Sequence, residues 1–165
     1  GLIKAISIIK EKNIKCHFSW YGKSESNIDY YNQCEQLIDK LGVNNYIDLL
    51  PKTKEIHAKY QEADYFCLPS FYEGTPNVLC EAISCGLPVM VSDVCDNPMY
   101  AQPDINGVLI DPNNREDMAD KMASLLGQNE DQYNTYRINS RKIAEEKLSQ
   151  NVFIEKYLKL LESKE

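Results

Sequence analysis

Apolar residues recur along the chain at two spacings, and the change from one spacing to the other predicts the elements of the fold. Spacings of three and four residues, typical of amphipathic helices, occur in residues 2–9, 28–41, 53–63, 75–84, 113–126 and from about 131 onward. Short apolar runs typical of strands occur in residues 14–21, 46–50, 64–68, 88–92 and 107–110. The final helical stretch carries an apolar stripe of Phe153, Ile154, Tyr157, Leu158 and Leu161. Helices that alternate with strands at such short intervals predict a parallel sheet with helices on both faces.

Residues with known end preferences mark several of the predicted helices. Ser26 is placed to cap the second helix, and Gly42 is placed to end it in the left-handed conformation. Thr75 and Pro76 have the order of an N-cap followed by a first helical residue, and Gly86 ends the helix that they open.

Composition and charge restrict the class of protein. The 165 residues are 43% hydrophobic, enough for one globular domain over residues 1–165 with a full core. The formal net charge of −7 argues against broad nucleic-acid binding, which depends on clustered Lys and Arg, but it leaves room for one small phosphate site. The most apolar stretch, residues 78–91, is interrupted by polar residues, Gly and Pro, so no membrane-spanning segment is predicted.

Six cysteines are scattered without a C-x-x-C pair: Cys16, Cys34, Cys67, Cys80, Cys85 and Cys95. We expect reduced thiols that are mostly small core residues, because a chain of this length and apolar content does not need disulfides. The absence of an adjacent pair gives a redox function little support.

Residues 69–81 lie between a predicted strand and a predicted helix, at the edge where open parallel sheets bind ligands. Pro76 has no N–H, and the amides of Asn77 and Val78 that follow have no partner within the helix. Together with the positive end of the helix dipole, these amides predict an anion site.

Two glutamates flank this helix start. Glu81 follows Asn77 by four residues and Val78 by three, which places its carboxylate on the same face, about 6 Å along the axis. A carboxylate accepts two hydroxyl donors and therefore suits a vicinal diol. Glu73 lies in the preceding loop, where it could reach a group on the far side of the anion. Either acid alone also fits a solvated residue that favours the dipole.

Three ordered motifs resemble one enzyme family. Glu73 and Glu81, with the eight residues that follow, resemble the E-x7-E signature and its EA-x-x-x-G-x-P-V continuation in retaining family 4 glycosyltransferases. Residues 60–70 resemble the Y-x-x-A-D-x-x-x-x-P-S motif of that family, and residues 106–112 resemble its N-G-x-L-x-x-P motif. The resemblance runs in register from about residue 1 to residue 126.

The resemblance implies an α/β, Rossmann-like fold: the C-terminal, donor-binding half of a two-domain GT-B enzyme, with its first strand and its N-terminal acceptor domain outside this chain. The implied reaction is hexosyl transfer from a nucleoside diphosphate sugar to an acceptor hydroxyl with retained configuration, in polysaccharide or glycoconjugate synthesis. No metal or other cofactor is expected. The implied partners are the nucleotide sugar and an acceptor sugar or lipid-linked glycan. The implied location is the cytoplasm, including the inner membrane face.

The same resemblance assigns roles to individual residues. It implies that Glu81 holds the nucleotide ribose and that Glu73, at the catalytic position, contacts hydroxyls of the donor sugar. The other implied donor-binding residues are Asn77 and Val78 at the diphosphate, Gly74 and Thr75 at the sugar, Pro51, Lys52 and Thr53 at the base, and Gly22 at the border of the cleft.

The chain also departs from the family pattern. Residues 1–4 match the end of a Gly-Arg…Lys-Gly segment whose two cations hold the diphosphate, so both cations are missing here. Pro51 stands where the family has Gly, and residues 95–98 replace a Gly-Gly-x-x-Glu loop. We therefore expect the isolated chain to be inactive. The alternative function is a non-catalytic, Rossmann-like module that binds a nucleotide or phosphate without a sugar pocket.

Overall fold

The computed structural model describes residues 1–23 and 27–162 of the chain. The helices within these residues are α1 (Leu2–Glu11), α2 (Ile28–Leu41), α3 (Ile56–Glu62), α4 (Asn77–Ser84), α5 (Asn97–Tyr100), α6 (Arg115–Leu126), α7 (Glu130–Leu148) and α8 (Gln150–Glu162). The strands are β1 (Phe18–Lys23), β2 (Ile47–Pro51), β3 (Phe66–Leu68), β4 (Val89–Ser92) and β5 (Gly107–Ile110). Helices and strands alternate from α1 to α6, and the hydrophobic pattern predicts this alternation as far as β4. None of these helices combines the length and apolar character that a membrane span requires.

All five strands pair in parallel, in two sheets. One sheet contains β1 and β2, and the other has the order β3-β4-β5. The predicted α/β class with parallel strands is therefore confirmed, although the strands of the described residues do not join into one sheet. β1 begins at Phe18, later than the predicted residue 14, because its first partner is Ile47, where β2 itself begins.

Helices cover both faces of the three-stranded sheet, and β4 shows this directly. Successive side chains of a strand point to opposite faces. Val89 and Val91 pack in a cluster with Leu79 of α4 and Ile143 of α7, whereas Met90 packs in the cluster on the other face. All four residues of β4 are buried, as expected for a central parallel strand.

The layer formed by α1 and α6 covers both sheets at once. Ile6 and Ile9 of α1 are fully buried, and they belong to one cluster with Met118 of α6, Ile47 of β2 and Met90 of β4. The two sheets thus share one continuous core, and this shared core fixes β1 relative to β3.

The helix ends agree in part with the sequence signals. Gly42 follows α2 with φ 62°, and Gly86 follows α4 with φ 76°, both in the left-handed region as predicted. Ser26 lies outside the described residues. The expected start of α4 is wrong by one position: Pro76 has an extended backbone and is itself the N-cap, its carbonyl accepting the amides of Leu79 and Cys80 at 3.1 and 3.2 Å.

Three further predictions differ from the structure. α3 starts at Ile56 instead of residue 53, because the hydroxyl of Thr53 accepts the Glu55 amide at 3.0 Å and holds a turn ahead of the helix. The short helix α5 follows β4 and has no counterpart in the prediction. The apolar stripe of α8 is exposed: Phe153, Ile154, Tyr157, Leu158 and Leu161 each keep between 45% and 68% of their surface.

The cysteines are less buried than predicted. Five are half-buried and Cys95 is exposed, and none forms a disulfide in the described residues. Burial raises the pKa of Cys67 to about 12, so this thiol is protonated at neutral pH.

Candidate functional site

The first turn of α4 opens to solvent at the carboxyl edge of the three-stranded sheet. β3 ends at Leu68, and the chain crosses a loop to the N-cap Pro76 before entering the helix. Within residues 1–23 and 27–162, the amides of Asn77 and Val78 donate no hydrogen bond. These two amides and the helix dipole form a small electropositive surface that can bind an anion.

Glu81 lies on the same side of α4 as these amides. Asn77 and Val78 are exposed and Glu81 is half-buried, whereas Leu79 and Ile83 on the opposite side have no exposed surface. The carboxylate therefore stands one turn above the free amides, where it can accept hydroxyl donors from a ligand that is bound through its anionic group.

Tyr60 of α3 holds one oxygen of this carboxylate. Its hydroxyl donates to Glu81 Oε2 at 3.1 Å, and its ring is buried, with 6% of its surface exposed. Burial and the hydrogen bond to Glu81 raise the pKa of Tyr60 well above its ordinary value, so the hydroxyl keeps its proton at neutral pH. The sequence motif includes Tyr60 but gives it no role, because this contact depends on how α3 packs against α4.

The hydroxyl of Thr75 has a different partner from the one that the sequence predicts. Its side chain does not cap α4; its hydroxyl donates to the carboxylate of Asp96, which lies just before α5. This hydrogen bond ties the loop before α4 to the loop after β4. No local sequence signal marks Asp96 as a partner, since 21 residues separate the two side chains.

Glu73 lies in the loop ahead of α4 and is half-buried. Its side chain makes no hydrogen bond or ion pair to the rest of the described chain, so both carboxylate oxygens can accept donors from a ligand. The adjacent Gly74 is exposed, and the space where its Cβ would lie is open, with no atom within 4 Å. The loop therefore has room for a polar group beside Glu73.

The structure brings Gly22 and Pro51 to one edge of the two-stranded sheet. Lys23 pairs with Pro51, and the register shifts at Gly22, whose φ of 129° favours glycine. Lys52 follows in an exposed position, and the Thr53 hydroxyl is occupied by the Glu55 amide. Gly22 and Pro51 lie at the carboxyl ends of β1 and β2, and Lys52 and Thr53 follow β2, whereas the residues from Glu73 to Glu81 follow β3. Helix α3, which carries Tyr60, links the two groups.

Comparisons with known proteins point to one enzyme family. The model of the family "Glycosyl transferases group 1" matches residues 1–143. An uncharacterized glycosyltransferase of Haemophilus influenzae is 27% identical over 146 residues, which cover 88% of this chain and 40% of that protein. This chain therefore spans less than half the length of that relative.

Solved structures show the same architecture. HepE of Anabaena, crystallised with UDP, superposes with a TM-score of 0.85 at 19% identity, covering 98% of this chain and 44% of that one. A point mutant of TarM from S. aureus, in complex with Fondaparinux, alpha-GlcNAc-glycerol and UDP, gives a TM-score of 0.80 at 25% identity, covering 96% of this chain and 31% of that one.

Fold and motifs lead to one conclusion. The parallel sheets with helices on both faces have the α/β, Rossmann-like fold seen in these GT-B glycosyltransferase structures. The family model extends over β1 to β5 and includes both Glu73 and Glu81. The chain belongs to the group 1 glycosyltransferases.

Proposed function

We propose that this chain is the donor-binding domain of a retaining hexosyltransferase, which transfers a sugar from a nucleoside diphosphate to an acceptor hydroxyl in polysaccharide or glycoconjugate synthesis. One observation carries the proposal: two unpartnered amides lie beside a carboxylate that a buried tyrosine holds in place. The amides suit a diphosphate and the carboxylate suits a ribose diol. HepE and TarM, the neighbours described above, were crystallised with UDP.

Each part of the donor has a matching group in this proposal. The diphosphate binds the amides of Asn77 and Val78, and the ribose hydroxyls donate to Glu81. The transferred sugar lies against Gly74 and Thr75, with its hydroxyls donating to Glu73. The open space at Gly74 and the unpaired carboxylate of Glu73 support this placement.

The base lies at the edge of the two-stranded sheet, near Gly22 and Pro51, with Lys52 and Thr53 in the adjoining loop. Support comes from the pairing of β1 with β2, which brings Gly22 and Pro51 together at their carboxyl ends. The Thr53 hydroxyl already accepts a hydrogen bond from the Glu55 amide, so its second lone pair is the one that can accept a hydrogen bond from a base.

Electrostatic stabilisation of the leaving group is the chemistry that these groups supply. Negative charge builds on the diphosphate as the glycosidic bond breaks, and fixed amides at a helix N-terminus stabilise that charge without reorganisation. Glu73 orients the sugar, and the proposed transfer uses no metal ion. The acceptor, a sugar or lipid-linked glycan, binds a part of the enzyme outside this chain. The enzyme acts in the cytoplasm or at the inner face of the membrane. This domain alone therefore binds the donor without transferring its sugar.

Replacing Glu81 tests the proposal. In the Glu81→Gln variant Tyr60 can still donate to the side chain, but the carboxylate oxygen that would accept a ribose hydroxyl is replaced by an amide NH₂. We therefore expect UDP to bind more weakly by over about 1 kcal/mol, roughly fivefold in Kd. Calorimetric titration of this chain with UDP measures the change. Glu146→Gln on α7 is the matched control and should leave the Kd unchanged. Equal affinities of the wild type and the Glu81→Gln variant would contradict the ribose role.

Tyr60→Phe tests whether the orientation of the Glu81 carboxylate contributes to UDP binding when its charge is kept. The variant removes only the hydroxyl that donates to Glu81 Oε2 and keeps the buried ring. We expect UDP affinity to fall by a factor of about three to ten, because the carboxylate loses one fixed orientation. The melting temperature, measured on the same samples, reports any loss of packing. A loss of stability with unchanged UDP affinity would show that Tyr60 only supports the fold.

A further inference from the structure

The hydrogen bond between Thr75 and Asp96 fixes what the Thr75 hydroxyl can offer to a ligand. A hydroxyl has one proton and two lone pairs, whereas a carboxylate has only lone pairs. The proton of Thr75 Oγ1 is therefore donated to Asp96 Oδ2, and only the lone pairs of the hydroxyl oxygen remain. Because Thr75 is exposed, these lone pairs are open to a bound ligand.

Asp96 brings a second carboxylate to the loop that contains Glu73. It lies just before α5 and is half-buried, and its Oδ1 atom accepts no hydrogen bond from the described residues. Its Oδ2 atom is held against Thr75, which lies two residues from Glu73 in the chain. The surface around Thr75 therefore combines the unpaired carboxylate of Glu73 with a carboxylate from the loop after β4.

These two carboxylates have no compensating cation. None of the Lys, Arg and His side chains that the structure describes forms an ion pair with Glu73 or Asp96. Lys147 of α7 reaches α5, but it donates to the Met99 carbonyl, three residues beyond Asp96, at 2.7 Å. The surface around Thr75 therefore carries two uncompensated negative charges.

The side chains on this surface suit a sugar with free hydroxyls. Glu73 and Asp96 supply carboxylate oxygens and Thr75 supplies lone pairs, so none of the three has a proton to donate to a ligand. A sugar hydroxyl is a donor and matches them. A carboxylate on the sugar would lose its hydration without gaining a donor from these side chains, and both charges would repel it.

We propose that Asp96 is a specificity-determining residue that, together with Glu73, selects donors with an uncharged sugar and rejects donors whose sugar carries a carboxylate. Its Oδ2 atom fixes Thr75 as an acceptor, and its charge repels an anionic sugar. The inference rests on the proposed function, because it requires the transferred sugar to lie against Gly74 and Thr75. Asp96 belongs to residues 95–98, which depart from the family pattern, so this selection is particular to this chain.

Calorimetric titrations of this chain with UDP-glucose and with UDP-glucuronic acid test the selection. The two probes differ only at C6 of the sugar, which is an alcohol in one and a carboxylate in the other. We expect UDP-glucuronic acid to bind about tenfold more weakly, or weaker still, because like charges repel at short range. Equal Kd values for the two probes at low salt would overturn the proposal.

The salt dependence of this difference tests its electrostatic origin. We expect the ratio of the two Kd values to be smaller in about 0.5 M than in about 0.05 M NaCl, since salt screens the repulsion between charges. A ratio that does not change with salt would show that UDP-glucuronic acid is excluded by shape, and this result would also overturn the proposal.

Asp96→Asn assigns the selection to one residue. The variant keeps an oxygen to which Thr75 can donate but removes the charge, so we expect the ratio of the two Kd values to fall about threefold or more. Asp104→Asn is the matched control, because it removes an equal charge from the exposed turn before β5, at the opposite edge of the sheet. It should leave the ratio unchanged. An unchanged ratio in the Asp96→Asn variant would overturn the proposal.

Thr75→Val removes the hydroxyl and keeps the charge of Asp96. We expect UDP-glucose to bind about threefold to tenfold more weakly, because an acceptor is lost, while UDP-glucuronic acid remains the weaker ligand. Loss of the difference between the two probes in this variant would overturn the role of the Asp96 charge.

Titration with UDP alone distinguishes this inference from the proposed function. If the wild type bound neither UDP nor UDP-glucose, the proposed function would be wrong, and the inference with it. If UDP and UDP-glucose bound, but UDP-glucuronic acid bound as tightly as UDP-glucose, only the inference would be overturned.

Discussion

Replacing Gly107 with alanine is expected to destabilise the domain by about 3–5 kcal/mol, a large part of the stability of a domain of this size. Gly107 pairs with Val89 in the ladder between β4 and β5. A Cβ at Gly107 would lie 2.1 Å from the Val89 carbonyl oxygen and 2.8 Å from Val89 Cγ2. Val89 is fully buried, so the strands must separate to admit the methyl group. Urea denaturation followed by circular dichroism measures the change.

Gly74→Ala is the matched control for this substitution. Its Cβ would meet no atom within 4 Å, and its backbone does not require glycine, so the free energy of unfolding should change by less than about 0.5 kcal/mol. If Gly107→Ala were as mild as Gly74→Ala, the close approach of β5 to Val89 would be wrong.

Glu73→Ala is expected to reduce kcat of the full-length enzyme by about 10²- to 10³-fold, the range found when one group that positions or stabilises the reacting atoms is removed. Glu73 has no partner among the described residues, so its removal leaves the fold unchanged and acts on the bound sugar alone. In this domain, the same variant should bind the donor nucleotide sugar more weakly and bind UDP as well as the wild type does. Steady-state kinetics and calorimetry provide the two measurements.

Glu155→Ala, an exposed substitution on α8, is the control for Glu73→Ala and should change neither quantity. The paired titrations with UDP and with the nucleotide sugar also distinguish the two functions considered for this fold. If UDP and the nucleotide sugar bound equally well, with or without Glu73, the domain would be a nucleotide-binding module without a sugar pocket.

The local features of the fold could be predicted from neighbouring residues alone. Gly42 and Gly86 end helices because glycine adopts positive φ easily, and the structure finds both residues there. The apolar spacing in residues 2–9 predicts α1, whose Ile6 and Ile9 are buried. The Asn106-Gly107 pair could be recognised as a motif, although its reason is structural: Asn106 is fully buried, its side chain donates to the Tyr100 carbonyl at 2.9 Å, and Gly107 admits the close approach of Val89.

The candidate site, like the fold, could be predicted where it depends on residues close together in the chain. Spacing along one helix placed Glu81 on the same side as the amides of Asn77 and Val78, and α4 has that arrangement. The predicted start of α4 is one residue too early, because the Thr75 hydroxyl could either cap the helix or bond a distant group. Its actual partner, Asp96, lies in the loop after β4, which local sequence does not reveal.

By itself, the sequence determined the family, the order of helices and strands apart from α5, and the acids and amides around α4, because each of these depends on residues close together in the chain. The tertiary structure alone decided that Tyr60 holds Glu81 and that Thr75 donates to Asp96. Those contacts join residues far apart in the chain, and their geometry depends on how whole helices and strands pack, which local spacing does not encode.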